Sequence, residues 1–139
     1  KTKEDASWLQ DAPGKVVKMV YRLLYDLPNS HRYRVLFMRR ELDEVIKSQD
    51  VMLERSGKKT TSSPEDAAKV RDIFETELKR FYDWVATAKH ITMIDVNYNE
   101  MLTDPKPWVA KINELLDSNL DTDKMMGVVD PSLYRQRAQ

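Results

Sequence analysis

The chain has no cysteine, only three glycines, no long apolar run and no excess charge of either sign. Each absence removes a class of explanation. Without cysteine there is no disulfide frame and no thiolate metal site. No apolar stretch approaches the roughly 18 residues of a membrane-spanning helix, and the opening "KTKEDASW" is polar, so neither a transmembrane segment nor a signal peptide is expected. The 23 basic and 23 acidic residues cancel. No global field then draws the chain to nucleic acid or to an anionic membrane; neither is an expected partner, and a cytoplasmic location is. Any anion site must come from a local cluster. His31 and His90 stand apart, each near a strand entrance, so no metal is expected.

What remains is 139 residues, enough for one domain with its own core. "GKVVKMVY" (14–21) is β-branched after a Pro-Gly pair and predicts a strand over 16–21. "RLLYDLP" allows one turn of helix at most before Pro28. "YRVLFMR" (33–39) is apolar on both faces, the pattern of a strand covered on both sides. From Glu41 the period changes to helical: Leu42, Val45, Ile46, Gln49, Met52 and Leu53 share a face, and Gly57 is a stop. After the polar loop "KKTTSSPED" (58–66), Ser63 is a natural N-cap with Pro64 behind it. A long helix to about Ala88 follows, with Ala67, Val70, Ile73 or Phe74, Leu78, Phe81 and Val85 as its apolar stripe. "HITMIDVNY" (90–98) predicts a third strand, "DPKPWVAKINELL" (104–116) a helix with Trp108, Ile112 and Leu115 inward, and 121–127 a short helix before an irregular tail. Strands alternating with helices predict an α/β domain with a parallel sheet flanked by helices, exposing ligand-binding strand ends at its carboxyl edge.

At one such end stands "FMRRELDEVIKSQ" (37–49). Two readings of Arg39 and Arg40 are open. A guanidinium offers a fork of donors for phosphate or sulfate, and a helix N-terminus adds free N–H groups. Glu41, Asp43 and Glu44 could equally pair with the arginines in plain salt bridges. Ser48 lies eight residues after Arg40, a helical rise of roughly 12 Å. By composition it is an ordinary interior serine, and Tyr98 an ordinary strand-end ring.

These residues resemble a known family. "FMRRELDEVIKSQ" looks like the 3′-phosphate-binding segment of sulfotransferases that use 3′-phosphoadenosine-5′-phosphosulfate, in which a strand ends in Arg and a Ser follows eight positions on. Arg40 and Ser48 match that spacing, and Glu44 stands where that family often has an acid. "VNYNEMLTDPKPWVAKINELL" resembles the family block in which a strand ends in Tyr and an Asp-Pro leads into a helix; Tyr98 would contact the adenine. "GKVVKMVYRLLYDLP" resembles the strand that carries a catalytic Lys two residues before a His; Lys18 matches the Lys, and Val20 stands in place of the His, the family's general base. The resemblance covers roughly residues 8 to 137 and is nearer to bacterial members, whose closing segments "VVDPSLYRQR" is similar to.

One family part is not in these residues. The phosphosulfate is held there by a strand, a glycine-rich loop and a helix. Gly14, Gly57 and Gly127 are scattered, and "PGKVVK" lacks the rest of the motif. The expectation is therefore the C-terminal part of a sulfotransferase-like domain of the P-loop superfamily, incomplete as it stands. The resemblance implies sulfuryl transfer to a hydroxyl or amine acceptor, with the donor nucleotide as cofactor, Arg40, Ser48 and Tyr98 as its ligands and Lys18 as the charge-stabilising cation. The alternative is a degenerate module for nucleotide binding or assembly. In either case open sheet edges would make a homo-oligomer possible.

Overall fold

The computed structural model describes residues 6–57 and 63–133; the stretch 58–62 of the expected loop and the end of the tail lie outside them. Two strands, β1 (Tyr33–Arg39) and β2 (Ile91–Asn97), pair in parallel with Tyr33 opposite Ile91 and Arg39 opposite Asn97. Both coincide with the expected runs. A parallel pair cannot be joined by a hairpin, and the return path between these strands carries α1 (Leu42–Arg55) and α2 (Pro64–Thr87). The protein is thus mixed α/β, with a small parallel sheet flanked by helices.

Local chemistry sets the helix ends. Gly57, at φ +65°, supplies the left-handed residue after α1. α2 starts as the sequence implies: Ser63 Oγ accepts the Asp66 N–H at 3.1 Å, and Pro64 occupies the first helical position. Arg71 of α2 pairs with Asp43 of α1.

The main core lies on one sheet face under the second half of α2. Phe81 is fully buried; its ring meets those of Phe37 at 5.0 Å, Tyr21 at 5.2 Å and Tyr25 at 5.9 Å. Leu9, Leu24 and Leu27 complete the cluster against Tyr33, Val35 and Met93. Burying a side chain of this size stabilises the fold by about 1.5–3 kcal/mol. Within the stripe of α2, Phe74 is half-buried and Ile73 is exposed, which decides the choice the periodicity left open. α4 (Pro105–Leu115) lies against β2. Its buried side chains are Val109 and Ile112, while Trp108 and Leu115 are only half-buried.

Three expectations are corrected. The run 16–21 is not a strand: residues 15–20 have no regular structure and Tyr21–Asp26 is a six-residue 3-10 helix, longer than the single turn expected before Pro28. Val16 is 94% exposed and Val20 64% exposed. β-propensity measures fit to a half-buried pleated surface, and no described strand lies beside these residues to provide one. The sheet accordingly has two strands among the described residues, where three were expected. Tyr98 does not end a strand but opens a short helix, α3 (Tyr98–Thr103), because Asn97 Oδ1 accepts the Glu100 N–H at 3.1 Å and caps it. Asp104 precedes α4 as expected, yet its side chain makes no capping bond. α5 (Thr122–Gly127) matches its expected span, capped by Asp121.

Candidate functional site

The two arginines at the end of β1 part company. Successive strand residues face opposite sides, so Arg39 turns to the α2 side. Its Nη1 donates to the Tyr82 hydroxyl at 2.7 Å, which in turn donates to Asp95 Oδ2 at 2.7 Å. Arg39 also lies 4.0 Å from Asp95. Its charge is compensated and its role is structural. Burial, aided by the hydrogen bond to Asp95, pushes the Tyr82 phenol up to about 12; Arg39 pulls the other way. Tyr82 therefore links Arg39 of β1 to Asp95 of β2.

Arg40, the first residue beyond β1, meets a different set of groups. Its Nε donates to Glu44 Oε2 at 2.7 Å. Glu44 is 1% exposed, deeper than any other charged residue described. The same oxygen accepts Asn99 Nδ2–H at 3.0 Å, and Asn99 Oδ1 accepts the Glu41 N–H at 3.3 Å. An unpaired carboxylate at this depth would be prohibitive; two donors on one oxygen, one of them cationic, offset its burial. The guanidinium lies 5.2 Å from the centre of the Tyr98 ring, within cation–π range. Arg40 and Glu44 come from the β1–α1 junction, and Tyr98 and Asn99 from the β2–α3 junction. Four residues from two adjacent parallel strand ends form one constellation.

Of the sequence-derived site residues, the fold brings Arg40 and Tyr98 together. Ser48 is half-buried on α1, one turn beyond Glu44 along the same row; Glu44, not Ser48, is the residue that reaches Arg40. Lys18 is exposed in the irregular segment 15–20, and no hydrogen bond or ion pair among the described residues joins it to Arg40, Ser48 or Tyr98. Asn99 was missed. Its signal was faint: an Asn two residues past a strand end, in the spacing Asn97-Tyr98-Asn99. The salt-bridge reading of the two arginines holds, since each is paired with a carboxylate, Arg39 with Asp95 and Arg40 with Glu44.

The Arg40 side chain keeps 23% of its surface exposed. A guanidinium fixed in orientation, beside an aromatic ring and at the carboxyl edge of parallel strands, is chemically suited to an anionic group carried on a planar base. Among the described residues no group of three or more His, Asp or Glu is placed to hold a metal ion, and no helix is long and apolar enough to cross a membrane. No protein-family model, curated protein or solved structure matches the chain.

Proposed function

We propose that the carboxyl edge of β1 and β2 is the nucleotide half-site of a sulfotransferase-type, P-loop-like fold, taking the 3′-phosphate and adenine of 3′-phosphoadenosine-5′-phosphosulfate. The observation that carries this reading is the meeting of Arg40 and Tyr98 at 5.2 Å, across two parallel strand ends, over a buried Glu44 that fixes the arginine. Arg40 holds the 3′-phosphate, Tyr98 contacts the base, and Ser48 adds a hydroxyl from further along α1. Glu44 and Asn99 position Arg40 without touching the ligand.

In the reaction this site would serve, an acceptor hydroxyl or amine attacks sulfur. A bond from sulfur to the acceptor forms, the bond to the bridging phosphate oxygen breaks, and the acceptor proton leaves to a base. Such transfer is governed by in-line positioning and by charge stabilisation at the equatorial oxygens. Lys18 is the proposed cation. Val20 has no proton acceptor, so the base is another group.

The test compares adenosine 3′,5′-bisphosphate with adenosine 5′-phosphate by calorimetry. Tighter binding of the bisphosphate is expected; equal affinities overturn the reading. Arg40→Ala should weaken the bisphosphate by roughly 1.5–3 kcal/mol, the scale of a charged hydrogen bond, and leave the monophosphate nearly unchanged.

A second reading, a non-catalytic assembly module, is favoured by one observation: Val16, Val17 and Val20 stand exposed, and the sheet has only two strands among the described residues. Open edges and β-prone segments invite pairing with a second copy. Concentration-dependent sedimentation abolished by Val17→Lys, with no nucleotide binding, would favour it.

A further inference from the structure

The other pole of the sheet holds separate chemistry. Where β1 and β2 begin, an open cleft of about 490 Å³ lies between the approach to β1 and the turn from α2 into β2. That volume falls in the range of small-molecule sites, about 300–1,000 Å³. Arg32 and Lys89 stand on its walls with Asn29, Thr87, His90 and Trp84. No acidic residue lines it. Arg32 and Lys89 are exposed, and neither side chain joins a hydrogen bond or ion pair with a described residue. The two cations therefore face the cleft with no carboxylate on its walls to neutralise them.

The apolar wall is equally defined. Trp84 is half-buried and braced from behind, with its ring 4.4 Å from that of Tyr25 and 6.1 Å from that of Phe81. A braced indole offers a rigid surface at little entropic cost. His90 adds a ring whose Nε2 is buried without a partner among the described residues, a feature that costs free energy unless something satisfies it. The last carbonyls of α2 also end here, and the Ala88 N–H meets two of them, those of Trp84 and Val85. Their partial negative charge offsets part of the cationic field, but two mobile full charges outweigh one helix end.

We infer that this cleft binds a small aromatic phosphomonoester, with the phosphate between Arg32 and Lys89 and the ring against Trp84. A dianion matches two cations, and an aromatic body matches the indole. The site is independent of the constellation at Arg40, which lies at the opposite ends of the same strands.

The probe is phenyl phosphate, titrated into the full protein while backbone amide and indole signals are followed by NMR. Benzyl alcohol and inorganic phosphate are the comparators. Saturable shifts are expected at Asn29, Arg32, Thr87, Lys89 and His90 and at the Trp84 indole, with both comparators weaker. The double variant Arg32→Ala, Lys89→Ala should bind at least about tenfold more weakly, the loss of one charged hydrogen bond. Both residues are exposed and unpaired, so the variant keeps its fold, and its signal dispersion checks this. Absence of saturable shifts at these residues up to about 10 mM overturns the inference. So does a double variant that binds as tightly as the original, or a comparator that binds as well as the probe. Shifts confined to Arg40, Tyr98 and Asn99 also overturn it and report on the nucleotide site instead.

Discussion

Arg40 has two neighbours that decide its chemistry, and they act in different senses. Tyr98 stabilises the cation without neutralising it, while Glu44 neutralises it and fixes its direction. The buried carboxylate also holds Asn99, so its removal disturbs both strand ends. Glu44→Ala leaves a three-quarters-buried guanidinium without its counter-charge and should cost about 3 kcal/mol, the low end for breaking a buried pair. Glu44→Gln keeps an acceptor and should cost less. Urea denaturation measures both; a loss under about 0.5 kcal/mol for the alanine variant, the range of neutral surface changes, would show that the pair carries little. Tyr82 gives a pH prediction. Its phenol is raised to about 12 by burial first and by Asp95 second. A raised folded value means the protonated form is stabilised by folding, so this contribution is fully present below the ordinary tyrosine value and is lost as pH rises through about 12. The stability difference between the protein and Tyr82→Phe should be constant from neutral pH to about 10 and shrink above it. A difference that grows with pH would reverse the assignment. At this scale the sequence singled out Arg40, Glu44 and Tyr98 but not Asn99, because its hydrogen bond to Glu44 spans 55 positions.

Elements were legible wherever local rules act alone. β1 and β2, the start of α2 and the span of α5 follow from an apolar run, a β-branched run, a Ser-Pro cap and an Asp cap. The α2 cap is testable: Ser63→Ala should lose about 1 kcal/mol and Ser63→Gly a few tenths, read by thermal melting. A null effect for the alanine variant would mean that the helix start is held by packing. The strand over 16–21 failed for the opposite reason. Its sequence has strand propensity, but a strand exists only by pairing, and the pairing edge is not a local property. α3 was missed because Asn97 can both close a strand and cap a helix, and the hydrogen bond to the Glu100 N–H settles which it does.

For the whole molecule, the proposed nucleotide half-site and the proposed catalytic residues stand in unequal states. Sulfuryl transfer needs the phosphosulfate held in line, and an error of about 1 Å can cost a hundredfold. These 139 residues contain no glycine-rich loop to do the holding, Lys18 is exposed in irregular chain, and Val20 cannot take a proton. The 139-residue chain should therefore bind adenosine 3′,5′-bisphosphate yet show no measurable transfer of labelled sulfate from the donor to hydroxyl or amine acceptors. Donor-dependent turnover would show that the phosphosulfate site lies within these residues, with Lys15 and Lys18 beside Gly14 the first to be replaced.

The sequence by itself determined α1, α2, α4 and α5, the two strands, their parallel sense through the long crossover, and the placing of two cations at a strand end. Those follow from periodicity, capping and chain reach, all readable over a few residues. Only the tertiary structure decided that Glu44 would be buried beneath Arg40, that Asn99 would share its oxygen, that Arg39 would be spent on Tyr82 and Asp95, and that Val16 and Val20 would find no strand to join. The physical reason is common to all four. Burial and the pairing of charges depend on which distant segments arrive at the same place, and that is set by the packing of α2 and α4 on the two strands, not by any local run of residues.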